Sequence, residues 1–243
     1  MDTTNDIKQL LSKAETLPNG TKEILHASFI CDKEYILRPP TEPYSTNEIE
    51  WYLSQSLDTN DLALYAGFVP KIWKDISDIN GKINSNYGWC CFSKENGEQF
   101  KHAIEHLKHD QYTRKAILIY NRPSMHSEWS DKRHSATGLV DKDDWMYGTE
   151  NEYKRIRGDF MCCQNNQLFI RNNKLEMIVH MRSMDAVYGY NIDYKWFKFV
   201  FDKAYQILSK TYKDLQKGDI AIFANSIHVY DRHFNLLEGE TIG

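Results

Sequence analysis

Residues 167–183, QLFIRNNKLEMIVHMRS, alternate apolar and polar side chains on both sides of an Asn-Asn pair. Leu168 and Ile170 lead into the pair, and Leu175, Met177, Val179 and Met181 lead out of it. A period of two belongs to a strand with one buried face. Asn172-Asn173 tolerates the left-handed backbone that a tight hairpin turn needs. The run therefore predicts a β-hairpin. Its return strand continues into VHMRSMDAVYGYNIDYKW, residues 179–196, where Arg182, Asp185 and Asp193 interrupt an otherwise apolar segment. Charges in such a place are seldom left unpaired, so this segment is expected to line a site.

Working outward, YKWFKFVFDKAYQIL (194–208) predicts an aromatic-rich buried helix, and DIAIFANSIHVY (219–230) a further strand. On the other side, GEQFKHAIEHLKHD (97–110) has the 3.6-residue period of an amphipathic helix, and RKAILIY (114–120) reads as a buried strand. STNEIEWYLSQSL (45–57) reads as a helix with Ser45 as N-cap, which would make Glu48 its capping-box partner. EILHASFIC (23–31) and EYILRPP (34–40) read as extended segments, the second ended by its Pro pair. Leu10, Leu11 and Leu17 lie near one face of an N-terminal helix. Residues 126–157 are polar and irregular, and read as a surface insertion. Strands and helices are mixed without a dominant βαβ rhythm. The expectation is one α/β (α+β) domain over residues 1–243, with a large mixed sheet flanked by helices.

The chain has 243 residues and a formal net charge of −4, with 41% hydrophobic and 26% charged residues. That balance supports a sizeable core and argues against duplex nucleic acid or an anionic membrane as main partner. No apolar run approaches the roughly 20 residues of a membrane helix, and the N-terminus lacks signal-peptide character. A cytoplasmic protein is expected. Five cysteines, four of them in the adjacent pairs Cys90-Cys91 and Cys162-Cys163, make neither a disulfide framework nor CxxC zinc spacing. No metal is expected.

Cys162 and Cys163 face opposite sides if they lie on a strand, so one of them can enter a pocket. A two-residue loop at Asn172-Asn173 would set Arg182 opposite Cys163. A three-residue loop, Asn172 to Lys174, would set it opposite Gln164, on the face of Cys162. In either case an Arg neighbours a thiol, and a nearby cation favours the nucleophilic thiolate. The structural alternative is a small buried hydrophobe. Arg182, Ser183, Arg114 and Lys115 together would suit a phosphate dianion, although each alone is ordinary surface charge. His228 and Tyr230, two apart on a strand, share a face and are able to bind hydroxyl groups.

The ordered set Glu48…Trp51, Trp73, Tyr87-Gly88, Arg114-Lys115, Cys162…Gln167, Arg182-Ser183…Asp185…Gly189…Asp193, His228…Tyr230 resembles the thymidylate synthase family. NEIEWY, KIW…GKINSNYGW, IYNRPSM, DFMC, MRSMDAVYGY and HVYDRHF resemble most its deoxycytidylate hydroxymethylase branch. The likeness runs from about residue 25 to about 237. It implies the thymidylate synthase-like fold, paired sheet to sheet in a homodimer. It implies Cys162 as the nucleophile that attacks C6 of a pyrimidine nucleoside monophosphate, hence the three-residue-loop register. Glu48 would move protons at C5, and 5,10-methylenetetrahydrofolate would be the cosubstrate. A hydroxymethylase adds water to the resulting exocyclic methylene, where a synthase adds hydride.

The same resemblance assigns phosphate to Arg182 and Ser183, with Arg114 and Lys115 reaching from the partner. Gln167 joins the substrate residues, and His228 and Tyr230 take the sugar hydroxyl. Trp73, Asp185 and Gly189 fall to the folate side. Two departures stand out. Lys115 replaces the family's second Arg, and Cys163 replaces a His beside the nucleophile. Asp193 stands where synthases carry Asn. A carboxyl group that shares a proton with cytosine N3 can donate there and accept from N4, so the expectation is dCMP converted to 5-hydroxymethyl-dCMP. The structural alternative makes Asp193 a helix cap. Competing functions are a CMP hydroxymethylase of antibiotic synthesis, a thymidylate synthase, and an inactive nucleotide- or RNA-binding relative.

Overall fold

The protein is described by a computed structural model over residues 1–78, 80–123, 125 and 159–238. The expected surface insertion at 126–157 lies outside the described residues. The hairpin is present, with β4 (Cys163–Arg171) and β5 (Lys174–Met181) antiparallel. Its turn has two residues, since Arg171 pairs with Lys174 and both Asn172 and Asn173 take positive φ, 50° and 58°. The three-residue loop is therefore corrected. A β-bulge between Cys163 and Asn165 supplies the missing residue instead. Beyond the bulge the Arg182 N–H donates to the Cys162 carbonyl at 2.8 Å, so Arg182 lies opposite Cys162 after all.

Around this hairpin stands a seven-stranded mixed sheet. The remaining strands are β1 (Asp2–Thr3), β2 (Thr21–Ile30), β3 (Ile117–Ile119), β6 (Met184–Asp185) and β7 (Gln216–Tyr230). The order is β1-β2-β7-β5-β4-β3, with β6 paired to the end of β7. β5 and β7 run parallel, while β2 runs antiparallel to β7. The helices are α1 (Thr4–Lys13), α2 (Tyr44–Ser54), α3 (Leu62–Ala66), α4 (Lys71–Ile76), α5 (Tyr87–Phe92), α6 (Gln99–His109) and α7 (Gly189–Leu208). Trp196, Phe197, Val200, Ala204 and Leu208 form the buried stripe of α7, at the helical period. They join Leu168, Ile170, Leu175, Met177, Val179, Met181, Ile222 and Ala224 in one core cluster.

β7 does not keep one alternation along its length. Ile220, Ile222 and Ala224 are buried at even positions, then Ile227 and Val229 at odd ones. The change falls at Asn225. Opposite it, His26 of β2 sits at φ 59° between the pairs Leu25↔Ser226 and Ala27↔Ala224. Both strands thus reverse faces together and their pairing survives. His228 and Tyr230 are turned away from the core that Ile222 and Ala224 enter.

Other expectations are revised. EYILRPP forms no strand. Ile36 and Leu37 are buried, but two side chains of α7 bind backbone carbonyls within and just before the segment, Asn191 that of Arg38 at 3.3 Å and Tyr190 that of the preceding Lys33 at 2.7 Å. RKAILIY is strand only over Ile117–Ile119. In α1, Leu11 is buried with Ile7 four residues before it, whereas Leu10 is exposed and Leu17 lies beyond the helix. α2 starts at Tyr44 with Pro43 at the cap, so Ser45 is not the N-cap. The Ser45 hydroxyl instead donates to Glu42 at 2.6 Å, and Glu48 is free of any capping box.

Candidate active site

One cleft of about 830 Å³ lies between α2, α4, α7 and the strand ends that carry Cys162, Arg182 and His228. Its walls include Glu48, Trp73, Cys162, Arg182, Ser183 and Asp185. Gly189, Asp193, His228 and Tyr230 complete the expected set. The fold thus brings together residues spread over most of the chain, from α2, α4, β6, α7 and β7 and from the segments just before β4 and just after β5. Arg114, Lys115 and Gln167 are not on this cleft. Arg114 and Lys115 are exposed ahead of β3, and the Gln167 side-chain amide donates to the Arg114 carbonyl at 2.7 Å.

Cys163 is fully buried and Cys162 borders the cleft, so the pair divides between faces as strand geometry requires. Arg182 braces the segment that leads through Cys162 into β4. Its Nε donates to the Met161 carbonyl at 2.9 Å and one terminal nitrogen to the Phe160 carbonyl at 2.6 Å. Two donors of a guanidinium are spent there, which leaves others for an anion in the cleft. Arg182 favours the Cys162 thiolate in the expected direction, but burial outweighs it. Burial pushes the thiol up to about 11, and Arg182 pulls it down less than burial, Asp193 and Asp159 raise it.

Two carboxyl groups face each other's influence across the site. Glu48 is buried, and burial raises its proton affinity. Tyr52 donates to Glu48 Oε1 at 2.6 Å, Tyr44 bonds the same carboxyl, and the Trp73 indole N–H donates to the Tyr44 oxygen at 3.2 Å. Asp193 is the fifth residue of α7, so it is no helix cap. Its carboxyl lies deep in the cleft, with a little surface open to it. Desolvation pushes it up to about 7, against a hydrogen bond with Tyr87, and the charges of Glu48 and Asp185 push the same way as desolvation. At neutral pH Asp193 is therefore part protonated and able to donate.

His228 and Tyr230 stand together on the reversed end of β7, rings edge to face at 5.1 Å. Burial lowers the His228 pKa, leaving a neutral imidazole at pH 7. Asp185 pairs with His228 in the sheet register, and its Oδ1 accepts the Val187 N–H at 2.9 Å. Phe68, Pro70, Ile72, Trp73, Ile76 and Ile192 give the other half of the cleft an apolar wall. Gly189 leaves a gap in that region, since a Cβ there would meet the Asp185 Cβ at 3.3 Å and Asp193 Oδ2 at 4.0 Å.

Sequence reasoning missed four contributors. Tyr44 and Tyr52 flank Glu48 at i−4 and i+4, a spacing that puts all three on one helix face. Asp159 accepts the backbone N–H groups of Asn84 and Ser85 at 2.6 and 2.7 Å and the Ser85 hydroxyl, which ties the approach to Cys162 to the loop before α5. Arg232 lines the mouth, with its guanidinium 4.4 Å from the Tyr230 ring centroid.

Comparison with known proteins agrees with this geometry. No family model matches the chain. The fold is shared with thermostable thymidylate synthase A of Bacillus subtilis, at a TM-score of 0.65 and 18% identity, covering 98% of this chain and 83% of that one. The deoxycytidylate 5-hydroxymethyltransferases of Enterobacteria phages T4 and T6 are each 34% identical over 220 residues, 90% of this chain and 79% of theirs. The chain belongs to the deoxycytidylate 5-hydroxymethyltransferase family, on a thymidylate synthase fold.

Proposed function

We propose that this protein transfers a hydroxymethyl group to C5 of dCMP, with 5,10-methylenetetrahydrofolate as cosubstrate and water as co-reactant. The observation that carries the reading is Asp193, a carboxyl group poised near pH 7 in the same cleft as Cys162 and Glu48. A proton shared between Asp193 and cytosine N3 lets the carboxyl accept from N4 as well. Attack of the Cys162 sulfur on C6 drives an electron pair toward N3; a proton from the Asp193 carboxyl there leaves a neutral adduct whose N3–H and N4–H donate to the carboxylate. The uracil adduct instead gathers negative charge on O4, which the same carboxylate repels. Asp193 therefore favours cytosine most strongly in the adduct, where the selection affects rate.

The remaining residues divide the work. Cys162 enters as a thiol, so its proton must leave as the sulfur–carbon bond forms, and Arg182 beside it favours that loss. C5 bonds the one-carbon unit, and Glu48 takes the C5 proton and gives it up as the folate nitrogen departs; the regenerated carboxylate then accepts a proton from the water that adds to the exocyclic methylene. Expulsion of the Cys162 sulfur restores the C5–C6 double bond. Arg182 and Ser183 bind phosphate, and His228 and Tyr230 bind the sugar hydroxyl. Methylenetetrahydrofolate supplies the one-carbon unit. The apolar wall with Trp73, and the gap at Gly189 between Asp185 and Asp193, suit its flat ring system. Arg114 and Lys115, exposed and away from their own cleft, would serve the cleft of a second copy in a sheet-to-sheet homodimer. The exposed apolar side chains of Leu25, Ile119 and Phe223 support that pairing.

Mass spectrometry of products from dCMP, CMP, dUMP and UMP, each with methylenetetrahydrofolate, tests base, sugar and outcome together. The expected product is 5-hydroxymethyl-dCMP. A methylated nucleotide, or turnover only of a uracil nucleotide, would overturn the proposal.

A further inference from the structure

The mechanism above uses Glu48 but not the side chains that hold it. Glu48 is 3% exposed, yet among the described residues it is not paired with a cation. Its hydrogen-bond partners are two phenols of its own helix, Tyr44 one turn before and Tyr52 one turn after, together with the Trp73 indole. Tyr44 is fixed in turn by the Trp73 indole. Tyr52 is fully enclosed, its ring stacked on Tyr87 at 5.3 Å and 28°, and edge-on to Trp196 at 5.6 Å. Tyr87 bonds Asp193. Each of the two carboxyl groups thus has a phenol partner, and the partners Tyr52 and Tyr87 stack on one another.

We infer that Tyr44 and Tyr52 are positioning residues that set the direction and the proton affinity of Glu48, and so the pH at which it works as a base. A phenol donating to a carboxylate favours the ionised form, whereas burial opposes it. With both hydrogen bonds in place Glu48 is able to ionise despite its enclosure; with either removed, its proton is held more tightly. The groups that face Glu48 are Tyr44 and Tyr52 from α2, Trp73 from α4 and Asp193 from α7, and among the described residues no cation is its neighbour. Among these residues the phenols have no ionic substitute. The direction also follows from geometry. A carboxyl oxygen fixed by Tyr52 at 2.6 Å cannot turn freely, so the proton-accepting edge stays toward the cleft.

This inference rests on the proposed role of Glu48, and its test separates the two. Tyr52→Phe and Tyr44→Phe each delete one hydroxyl and keep the ring. Infrared difference spectra between each protein and its Glu48→Gln counterpart follow the Glu48 carboxyl directly through a pH titration. Loss of one hydrogen bond to a carboxylate should move the midpoint upward by roughly one pH unit. Where product forms, the ascending limb of the kcat/KM profile for dCMP should move upward by the same interval, with the plateau changed less. At a pH below the limb the rate should fall roughly tenfold. Tyr44 is only half-buried, so its variant is expected to fold even where Tyr52→Phe loses stability. A Glu48 midpoint unchanged in both variants overturns the inference, whether or not the native protein turns over dCMP. If the midpoint moves and dCMP yields no product, the inference stands and the proposed function falls.

Discussion

Replacing Asp193 by Asn isolates the charge proposed to select the base. In the cytosine adduct the Asp193 carboxylate faces a protonated N3–C4–N4 unit, and a hydrogen bond to a charged partner is worth roughly 1.5–3 kcal/mol. Asn gives up that charge, so kcat/KM for dCMP should fall between about 10- and 150-fold. The uracil adduct is relieved of a like-charge contact of similar size, so dUMP should gain. The ratio of the two should therefore move by on the order of 10² to 10⁴, toward uracil. Tritium release from C5 of each nucleotide, with product identity by mass spectrometry, measures both arms. The pH profile gives an independent check. The proton shared with N3 is lost as pH rises through about 7, where Asp193 titrates, so native kcat/KM for dCMP should decline above that pH, and the limb should vanish in the variant. A dCMP-to-dUMP ratio within about threefold of native, with the alkaline limb retained, would refute the assignment of Asp193 to the base edge (a factor of three is about 0.65 kcal/mol).

Stability should respond to the same residue. Burial raises Asp193 from 3.8 to about 7, so its stabilising proton is fully held below about pH 4 and lost as pH climbs through 7. Across that window Asp193→Asn should gain on the native protein in denaturant unfolding, by at most about 4 kcal/mol from three pH units at about 1.36 each. A gap that does not widen with pH counts against the burial. Cys162 is the cysteine that borders the cleft while Cys90, Cys91 and Cys163 are enclosed. Alkylation of the native protein should mark Cys162 first, its rate rising about tenfold per pH unit toward 11, because only the thiolate reacts. Faster labelling of another cysteine, or a rate flat between pH 7 and 9, would contradict this. Gly88→Ala places a Cβ 1.8 Å from the Tyr52 carbonyl oxygen. Forcing α5 off α2 should cost about 3 kcal/mol or more, read as a lower urea midpoint, and a loss under about 0.5 kcal/mol would deny the close approach.

The hairpin, the amphipathic α6 and the aromatic α7 were legible because each carries one period long enough to exclude the other. Shorter or mixed signals failed for identifiable reasons. EYILRPP is apolar enough for a strand, but Asn191 of a distant helix binds its Arg38 carbonyl and Tyr190 of the same helix binds the carbonyl of Lys33 just before it. Ser45 has the chemistry of an N-cap, yet Glu42 and Lys195 engage its hydroxyl. For the site, residue types and order were enough to gather Cys162, Glu48, Asp193 and the others around one cleft. They could not give proton affinities. The neutral thiol of Cys162 depends on how deeply the chain buries it, and that depth is set by residues far away in sequence. Nor did the sequence show that Gln167 would stand clear of the cleft, with its amide donating to the Arg114 carbonyl.

The site exists because two strands break their own alternation. A strand that buries every second side chain presents the others to the opposite face, and one residue of slip exchanges the two sets. In the hairpin, an unbroken register from the two-residue turn would set Arg182 opposite Cys163, the cysteine sealed in the core. The bulge between Cys163 and Asn165 moves it to Cys162, at the cleft. In β7, unbroken alternation would send His228 and Tyr230 toward the core with Ile222 and Ala224, and would bring Ile227 and Val229 to the cleft. The reversal at Asn225, shared with His26 of β2, prevents both. Each irregularity leaves inter-strand pairing intact on either side and confines the disturbance to one position. The sheet thereby keeps a continuous apolar face under α7 and still delivers a thiol, a guanidinium, an imidazole and a phenol to a polar cavity at its end. A positive φ at His26 is uncommon for a residue with a Cβ, and its place opposite Asn225 is what the function of His228 and Tyr230 depends on.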